Sequence, residues 1–104
     1  MPAATEVLDA LGDATRRAVF ERVLRGPAPV GAIAAGLPVS RPAVSQHLRV
    51  LKEAGLVVDR RVGARRLYQL NPDGLGALRS YLDRFWNRAL AGFKAAAESK
   101  EKEA

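Results

Sequence analysis

Apolar residues recur at helical spacing in four segments of the first half of the chain, and glycine or proline separates neighbouring segments. The segments are Thr5 to Gly12, Asp13 to Gly26, Pro29 to Leu37 and Ser40 to Ala54. Thr5, Asp13 and Ser40 are residue types that cap helix N-termini, and Gly55 can provide a left-handed stop after the fourth segment. The pattern therefore predicts four helices, the third and fourth joined by a short turn.

The pattern changes from helical to extended after the fourth helix. Leu56-Val57-Val58 leads into Val62, and Leu67-Tyr68-Gln69-Leu70 follows after the small residues Gly63-Ala64. Two extended stretches on either side of a tight turn predict a β-hairpin over about residues 57–70.

A long helix is predicted after the hairpin. Asn71-Pro72-Asp73 starts it, and we expect it to reach about Ala97, with residues 98–104 as a frayed charged tail. The fold class is thus mainly α with a small β-hairpin, in one domain over residues 1–97. Four helices, a hairpin and a further helix in this order are typical of a winged helix-turn-helix domain.

The positive charge is concentrated in the middle of the chain. The net charge is +6, and residues 41–70 hold seven Lys and Arg against two Asp and Glu, a net +5 in under a third of the sequence. This concentration favours a polyanionic partner, and double-stranded DNA suits a helix-turn-helix. The alternative is a solvated basic face without a partner.

One face of the fourth helix, over about residues 40–54, is predicted to contact DNA in the major groove. Val44, Leu48 and Leu51 form its buried stripe on a helical wheel, which leaves the polar side chains on the outside. The candidate DNA-binding residues of this helix are Ser40, Arg41, Pro42, Ser45, Gln46, His47, Arg49 and Lys52. Arg41 can bind guanine, Gln46 can bind adenine and Ser45 can reach a base or a phosphate.

Three of these residues have other expected roles. Arg49 and Lys52, near the carboxyl end, are expected to contact phosphates. His47 lies at the edge of the buried stripe, where either a packing role or a DNA contact remains open.

Arginine pairs flank the turn of the hairpin, and Arg61, Arg65 and Arg66 are its candidate DNA-binding residues. Successive side chains on a strand face opposite ways, so one of each pair should face DNA. Arg65, nearest the tip, is the candidate for the minor groove. The alternative is an edge strand protected by charge.

Three motifs resemble those of the ArsR/SmtB family of dimeric bacterial repressors, and the similarity covers about residues 5–93. They are Leu11–Phe20 (LGDATRRAVF), Val39–Val57 (VSRPAVSQHLRVLKEAGLV) and Arg60–Tyr68 (RRVGARRLY). The resemblance implies a winged-helix homodimer that occupies a palindromic operator and blocks transcription. It also implies DNA contacts at the positions of Arg41, Pro42, Ser45 and Gln46.

Metal sensing, which many members of that family perform, is not expected here. The third-helix segment Val30–Leu37 has no thiol, and the terminal helix has no histidine. A transition-metal site needs three or four converging ligands, and His47 is the only histidine of the chain. The chain therefore resembles the metal-independent members, and we expect neither a metal nor another cofactor.

The terminal helix carries a broad apolar stripe that a small core would not cover completely. The surplus predicts a homodimer through the first and terminal helices. The candidate interface residues are Leu8, Leu11, Leu78, Leu82, Phe85, Trp86, Leu90 and Phe93. Two alternatives are a terminal helix folded wholly onto its own core and an apolar ligand near Phe85 and Trp86.

Other classes of function have little support in the sequence. Ser45 and His47 point about 200° apart on one helix, which defeats a nucleophile and base pair, so no enzyme is expected. No segment is apolar enough to span a bilayer, and the cytoplasm is the default location. The main alternative is a winged-helix adaptor that binds a protein through its aromatic terminal helix. RNA binding is weaker, because no aromatic platform accompanies the arginines.

Overall fold

The computed structural model describes residues 2–103 and confirms the predicted order of four helices, a hairpin and a long helix. The elements are α1 (Ala4–Leu11), α2 (Ala14–Leu24), α3 (Val30–Ala35), α4 (Arg41–Glu53), β1 (Val57–Val62), β2 (Arg65–Leu70) and α5 (Pro72–Glu103). Within the described residues, no helix is both long enough and apolar enough to cross a membrane.

The hydrophobic core lies between the first four helices and the start of the hairpin. α4 buries Val44, Leu48 and Leu51 completely, which confirms the stripe predicted from the helical wheel. These side chains pack with Ile33 of α3 and Val19 of α2, among others. Burial of this stripe fixes the rotation of α4, so its opposite face is turned to the solvent.

Two of the three predicted N-caps are confirmed, and one is wrong. The side chain of Asp13 accepts a hydrogen bond from the backbone N–H of Arg16 (2.8 Å), and that of Ser40 accepts one from Ala43 (3.3 Å). Thr5 is not a cap, because α1 begins one residue earlier and its N-cap is Ala3, without a side-chain bond. The backbone N–H of Val7 bonds to the carbonyl of Ala3, which extends the first turn.

α5 continues to Glu103, so the prediction that it ends near Ala97 is wrong. The stretch after Phe93 lacks glycine and proline, and Ala95-Ala96-Ala97 has the highest helix propensity. Glu98 also lies four residues before Lys102, a spacing at which opposite charges stabilise a helix. Local propensity therefore carries the helix through residues that the sequence analysis assigned to a frayed tail.

The hairpin is antiparallel, with Asp59 opposite Tyr68 and Arg61 opposite Arg66. Gly63 adopts a φ of 63° in the turn, in the left-handed region that favours glycine. Ala28 pairs with Tyr68 through two backbone hydrogen bonds of 3.1 and 2.9 Å, which attach the base of the hairpin to the segment before α3. The sequence does not predict this bridge, because a single residue has no strand pattern.

Two glycines allow the close approach of α5 to the α4–β1 corner. Gly55 adopts a φ of 82° and turns the chain from α4 towards β1. Gly74, in the first turn of α5, is buried so closely that a Cβ there would lie 2.4 Å from the carbonyl oxygen of Gly55. This contact fixes the direction in which α5 leaves the domain.

Candidate nucleic-acid interface

The outward face of α4 is a continuous polar surface. Seven predicted DNA-binding residues on it are exposed: Ser40, Arg41, Pro42, Ser45, Gln46, Arg49 and Lys52. A helix of this length spans about 20 Å, and the major groove, about 12 Å wide, admits a helix. The structure therefore brings the predicted residues of α4 together on one accessible side.

Arg41 lies at the junction between α4 and α3. Its guanidinium lies over Gly31, where a Cβ would be 3.3 Å from the nearer terminal nitrogen of Arg41. The absence of a side chain at position 31 leaves room for this arrangement. Arg41 is exposed, so its donors remain accessible from outside the domain.

His47 differs from its neighbours because it is only half exposed. The pKa of Asp13, the N-cap of α2, is lowered chiefly by the hydrogen bond from the backbone of Arg16, and the nearby His47 contributes to a smaller degree. His47 is thus partly covered by its own chain, and both the packing role and the DNA contact stay predictions.

The arginines of the hairpin are divided between its two faces. Arg61 and Arg66 share one face by their register, and Arg65 lies on the other. All three are exposed. Arg60 donates a hydrogen bond to the Oε1 atom of Gln69 (2.9 Å), which holds its side chain along the opposite strand.

Asp59 forms ion pairs with both α4 and β2, which the sequence does not predict. One carboxylate oxygen lies 2.7 Å from the Nζ atom of Lys52, and the other lies 2.5 Å from the Nη1 atom of Arg66. The hydrogen bond from Lys52 is the main reason why the pKa of Asp59 is below its ordinary value, and Arg66 adds to it although burial opposes it. The available signal was that Asp59 is the only acidic residue of the hairpin.

A second ion pair on α4 is much more exposed. The Nε atom of Arg49 lies 3.7 Å from a carboxylate oxygen of Glu53, and both side chains are about 70% exposed. Such a pair contributes little to stability and is screened by salt. Arg49 thus remains able to exchange this partner for a phosphate.

Two arginines of the first motif have a structural role. The Nε atom of Arg16 donates to the carbonyl of Ala10 (2.8 Å), and that of Arg17 donates to the carbonyl of Leu11 (2.9 Å). They therefore satisfy carbonyl groups at the end of α1, which has no basic residue in its last turn.

The predicted dimer residues form a partly uncovered apolar surface. Leu11 and Leu78 pack against the core of their own chain. The others are exposed by 41% to 76% of their surface: Leu8, Leu82, Phe85, Trp86, Leu90 and Phe93. Tyr81, which was not among the predicted residues, is also exposed. The end of α5 therefore does not fold back onto its own core.

Metal-ligating side chains do not converge among those that the structure describes, which belong to residues 2–102. No group of three or more His, Cys, Asp and Glu side chains there has an arrangement that could hold a metal ion. The surface formed by α4 and the hairpin is instead cationic, with seven Lys and Arg against Glu53 and Asp59.

A helix that exposes its polar face beside a cationic hairpin defines a helix-turn-helix DNA-binding protein. A family model described as a helix-turn-helix domain matches residues 11–60. The HTH-type transcriptional regulator Rv2034 of Mycobacterium tuberculosis is 66% identical over 84 residues, which are 81% of this chain and 78% of that protein.

Solved structures show which family of helix-turn-helix regulators the chain resembles. An ArsR-like transcriptional regulator from Rhodococcus sp. RHA1 has a TM-score of 0.77 at 33% identity, over 90% of this chain and 92% of that one. A homodimeric winged helix-turn-helix domain, Mb0332 of Mycobacterium bovis, has a TM-score of 0.65 at 26% identity, over 80% of this chain and 77% of that one. The chain belongs to the ArsR family: it is a winged helix-turn-helix transcriptional regulator and not an enzyme.

Proposed function

We propose that this regulator is a homodimeric repressor that binds a palindromic operator, with α4 in the major groove and the β1–β2 hairpin at the adjacent minor groove. The observation that carries the proposal is the orientation of α4. Its apolar residues are completely buried on one side, and its polar residues are exposed on the other, beside the arginines of the hairpin.

Base recognition is assigned to the amino-terminal half of α4. Gln46 is exposed and has the donor and acceptor needed to bind both polar groups of the major-groove edge of adenine. Arg41 can bind guanine with two donors, and Ser45 can reach a base or a phosphate. Ser40 and Pro42 lie beside them at the start of the helix, where the backbone can approach a phosphate.

The hairpin is assigned to the minor groove through Arg65. This side chain is exposed next to the turn and has no carboxylate partner within the described residues. Narrow A·T-rich minor grooves have an enhanced negative potential that attracts arginine. Arg61, on the other face, is available for a phosphate.

Dimerisation is assigned to α1 and α5. The exposed aromatic side chains of α5, among them Phe85, Trp86 and Phe93, lie at helical spacing. Exposure of so much apolar surface to water costs free energy, which burial in an interface would remove. A second copy of the chain provides one by twofold symmetry, as the homodimeric state of the Mycobacterium bovis relative supports. A symmetric dimer presents two α4 helices to two half-sites of a palindrome about 34 Å or a multiple apart.

Repression is the outcome that the family resemblance implies. A dimer that lies over successive grooves of a promoter excludes other proteins from that DNA. We expect a repressor of this kind to act in the cytoplasm, where it has access to its operator.

The test begins with selection of bound duplexes from a random pool, followed by titration of a selected duplex and a scrambled duplex of equal composition. A dimer that contacts six to ten phosphates should lose about 10³ to 10⁵ in affinity between 50 and 200 mM salt. The absence of an enriched sequence together with a flat salt response would refute the proposal. That result would favour the adaptor interpretation, in which α5 binds a protein.

Two substitutions on α4 separate base recognition from phosphate binding. Gln46→Ala should weaken binding to one operator position by about 1–3 kcal/mol and relax its base preference, whereas Arg49→Ala should weaken binding to all duplexes alike. Equal losses on selected and scrambled duplexes for both variants would contradict the role of Gln46.

A further inference from the structure

We infer that Asp59 is a positioning residue for DNA binding, which ties the hairpin to the carboxyl end of α4 and so sets the orientation of the hairpin relative to the helix that reads the major groove. This inference rests on the proposed function. It concerns a carboxylate, a group that phosphates repel, so its place in a DNA-facing surface calls for a reason.

The geometry of the cluster shows a bridge rather than a single ion pair. The two carboxylate oxygens of Asp59 have different partners, Lys52 on α4 at 2.7 Å and Arg66 on β2 at 2.5 Å. The Asp59 side chain is only 9% exposed, whereas those of its partners are 53% and 55% exposed. The carboxylate is therefore covered by its partners and holds three elements, α4, β1 and β2, at one point.

The position of the bridge along the hairpin allows it to restrain the tip relative to α4. Backbone hydrogen bonds with Ala28 anchor the hairpin at Tyr68, on the side of β2. Among the described side chains, the contact between Asp59 and Lys52 is the only ion pair or side-chain hydrogen bond between α4 and the hairpin. Beyond it, residues 60–67 project towards the tip without another such link to α4. Loss of the bridge should therefore free the tip to swing relative to α4.

The bridge also changes the charge that the surface presents. Lys52 and Arg66 carry two positive charges, and Asp59 reduces the sum of the three to one. Non-specific binding depends on the number of phosphates neutralised, so the charge of Asp59 weakens the attraction to DNA of any sequence. At the same time, its ion pairs fix the orientation of the hairpin that the operator requires. Asp59 thus lowers the affinity for DNA in general and raises the preference for the operator.

The decisive variant is Asp59→Asn, which keeps the shape and removes the charge. Its matched control is Glu53→Gln, which gives the same change in net charge at the end of the same helix but releases only the exposed Arg49. Binding to the selected and scrambled duplexes is measured for both variants and the wild type between 50 and 200 mM salt. Circular dichroism verifies that each variant is folded.

We expect the two variants to differ in specificity. Glu53→Gln should tighten binding to both duplexes to a similar degree and leave their ratio unchanged. Asp59→Asn should bind the scrambled duplex at least as tightly as the wild type, but its ratio of specific to non-specific affinity should fall by about tenfold, a coupling of ordinary size for contacting groups. Equal ratios in the two variants would overturn the inference.

A second variant and a measurement on the free protein test the same bridge. Lys52→Gln breaks the same link with the opposite change in net charge, and it should lower the specificity ratio as well. Amide hydrogen exchange of the free protein should be faster over residues 60–67 in Asp59→Asn than in Glu53→Gln. Unchanged exchange in the hairpin would overturn the positioning role without any reference to DNA, whereas a wild type that prefers no sequence would refute the proposed function alone.

Discussion

Replacement of Trp86 by alanine tests the proposed dimer interface most directly. The residue is 64% exposed in the single chain, so a second copy has most of its ring to cover. A tryptophan side chain of about 200 Å² would then bury roughly 130 Å² on dimerisation. At about 25 cal/mol per Å², the loss is about 3 kcal/mol per protomer and about 6 kcal/mol for the symmetric pair. The dissociation constant of the dimer should rise by about 10⁴-fold.

The assay is sedimentation equilibrium of the wild type and Trp86→Ala over a wide range of protein concentration. Leu24→Ala is the matched control, because Leu24 is also a large exposed apolar residue (47%) but lies on α2. Because Trp86 is exposed in the single chain, its removal should leave the fold of the protomer and its helical circular dichroism intact. Equal dissociation constants for the two variants would refute the assignment of this stripe to the dimer interface.

Three further predictions concern the hairpin, the packing of α5 and acid stability. Arg65→Ala should reduce the slope of log affinity against log salt by about 1 for each protomer, and an unchanged slope would remove Arg65 from the interface. Gly74→Ala should lower the free energy of unfolding in urea by about 1–3 kcal/mol, because its Cβ would meet the Gly55 carbonyl, whereas the open Gly76→Ala should not. The pKa of Asp59 is lowered in the folded protein, so its ion pairs stabilise the fold at pH values above the ordinary pKa of 3.8. This stability is lost as the pH falls through the lower pKa of the folded state. The melting temperature of Asp59→Asn should therefore fall less steeply with acid than that of the wild type.

The parts of the fold that depend on neighbouring residues could be predicted from the sequence. Ser40 caps α4, and the spacing of Val44, Leu48 and Leu51 fixes which side of that helix is buried. Both signals act within one or two helical turns. The outward face of α4, and with it most of the candidate site, follows from them by geometry alone.

The parts that were missed depend on contacts between segments. Arg16 and Arg17 are indistinguishable by pattern from DNA-binding arginines, yet they bond to the end of α1. Asp59 counts in the sequence as one negative charge among many positive ones, and its two partners lie seven positions away in opposite directions. A pairing of this kind becomes visible only when the turn at Gly55 has brought the hairpin back beside α4.

The ion pairs change how many phosphates the protein should bind. Residues 41–70 hold seven cations, which would give fourteen in a dimer and a salt slope of about −13 if all met phosphates. Within the described residues, however, Asp59 holds two of them, whereas the exposed pair with Glu53 leaves Arg49 able to bind a phosphate. The five remaining cations of each protomer, Arg41, Arg49, Arg60, Arg61 and Arg65, give about ten phosphate contacts per dimer and a slope near −9. A measured slope near −13 would mean that the cations leave Asp59 for phosphates on binding, and the bridge would then be a feature of the free protein rather than of the complex.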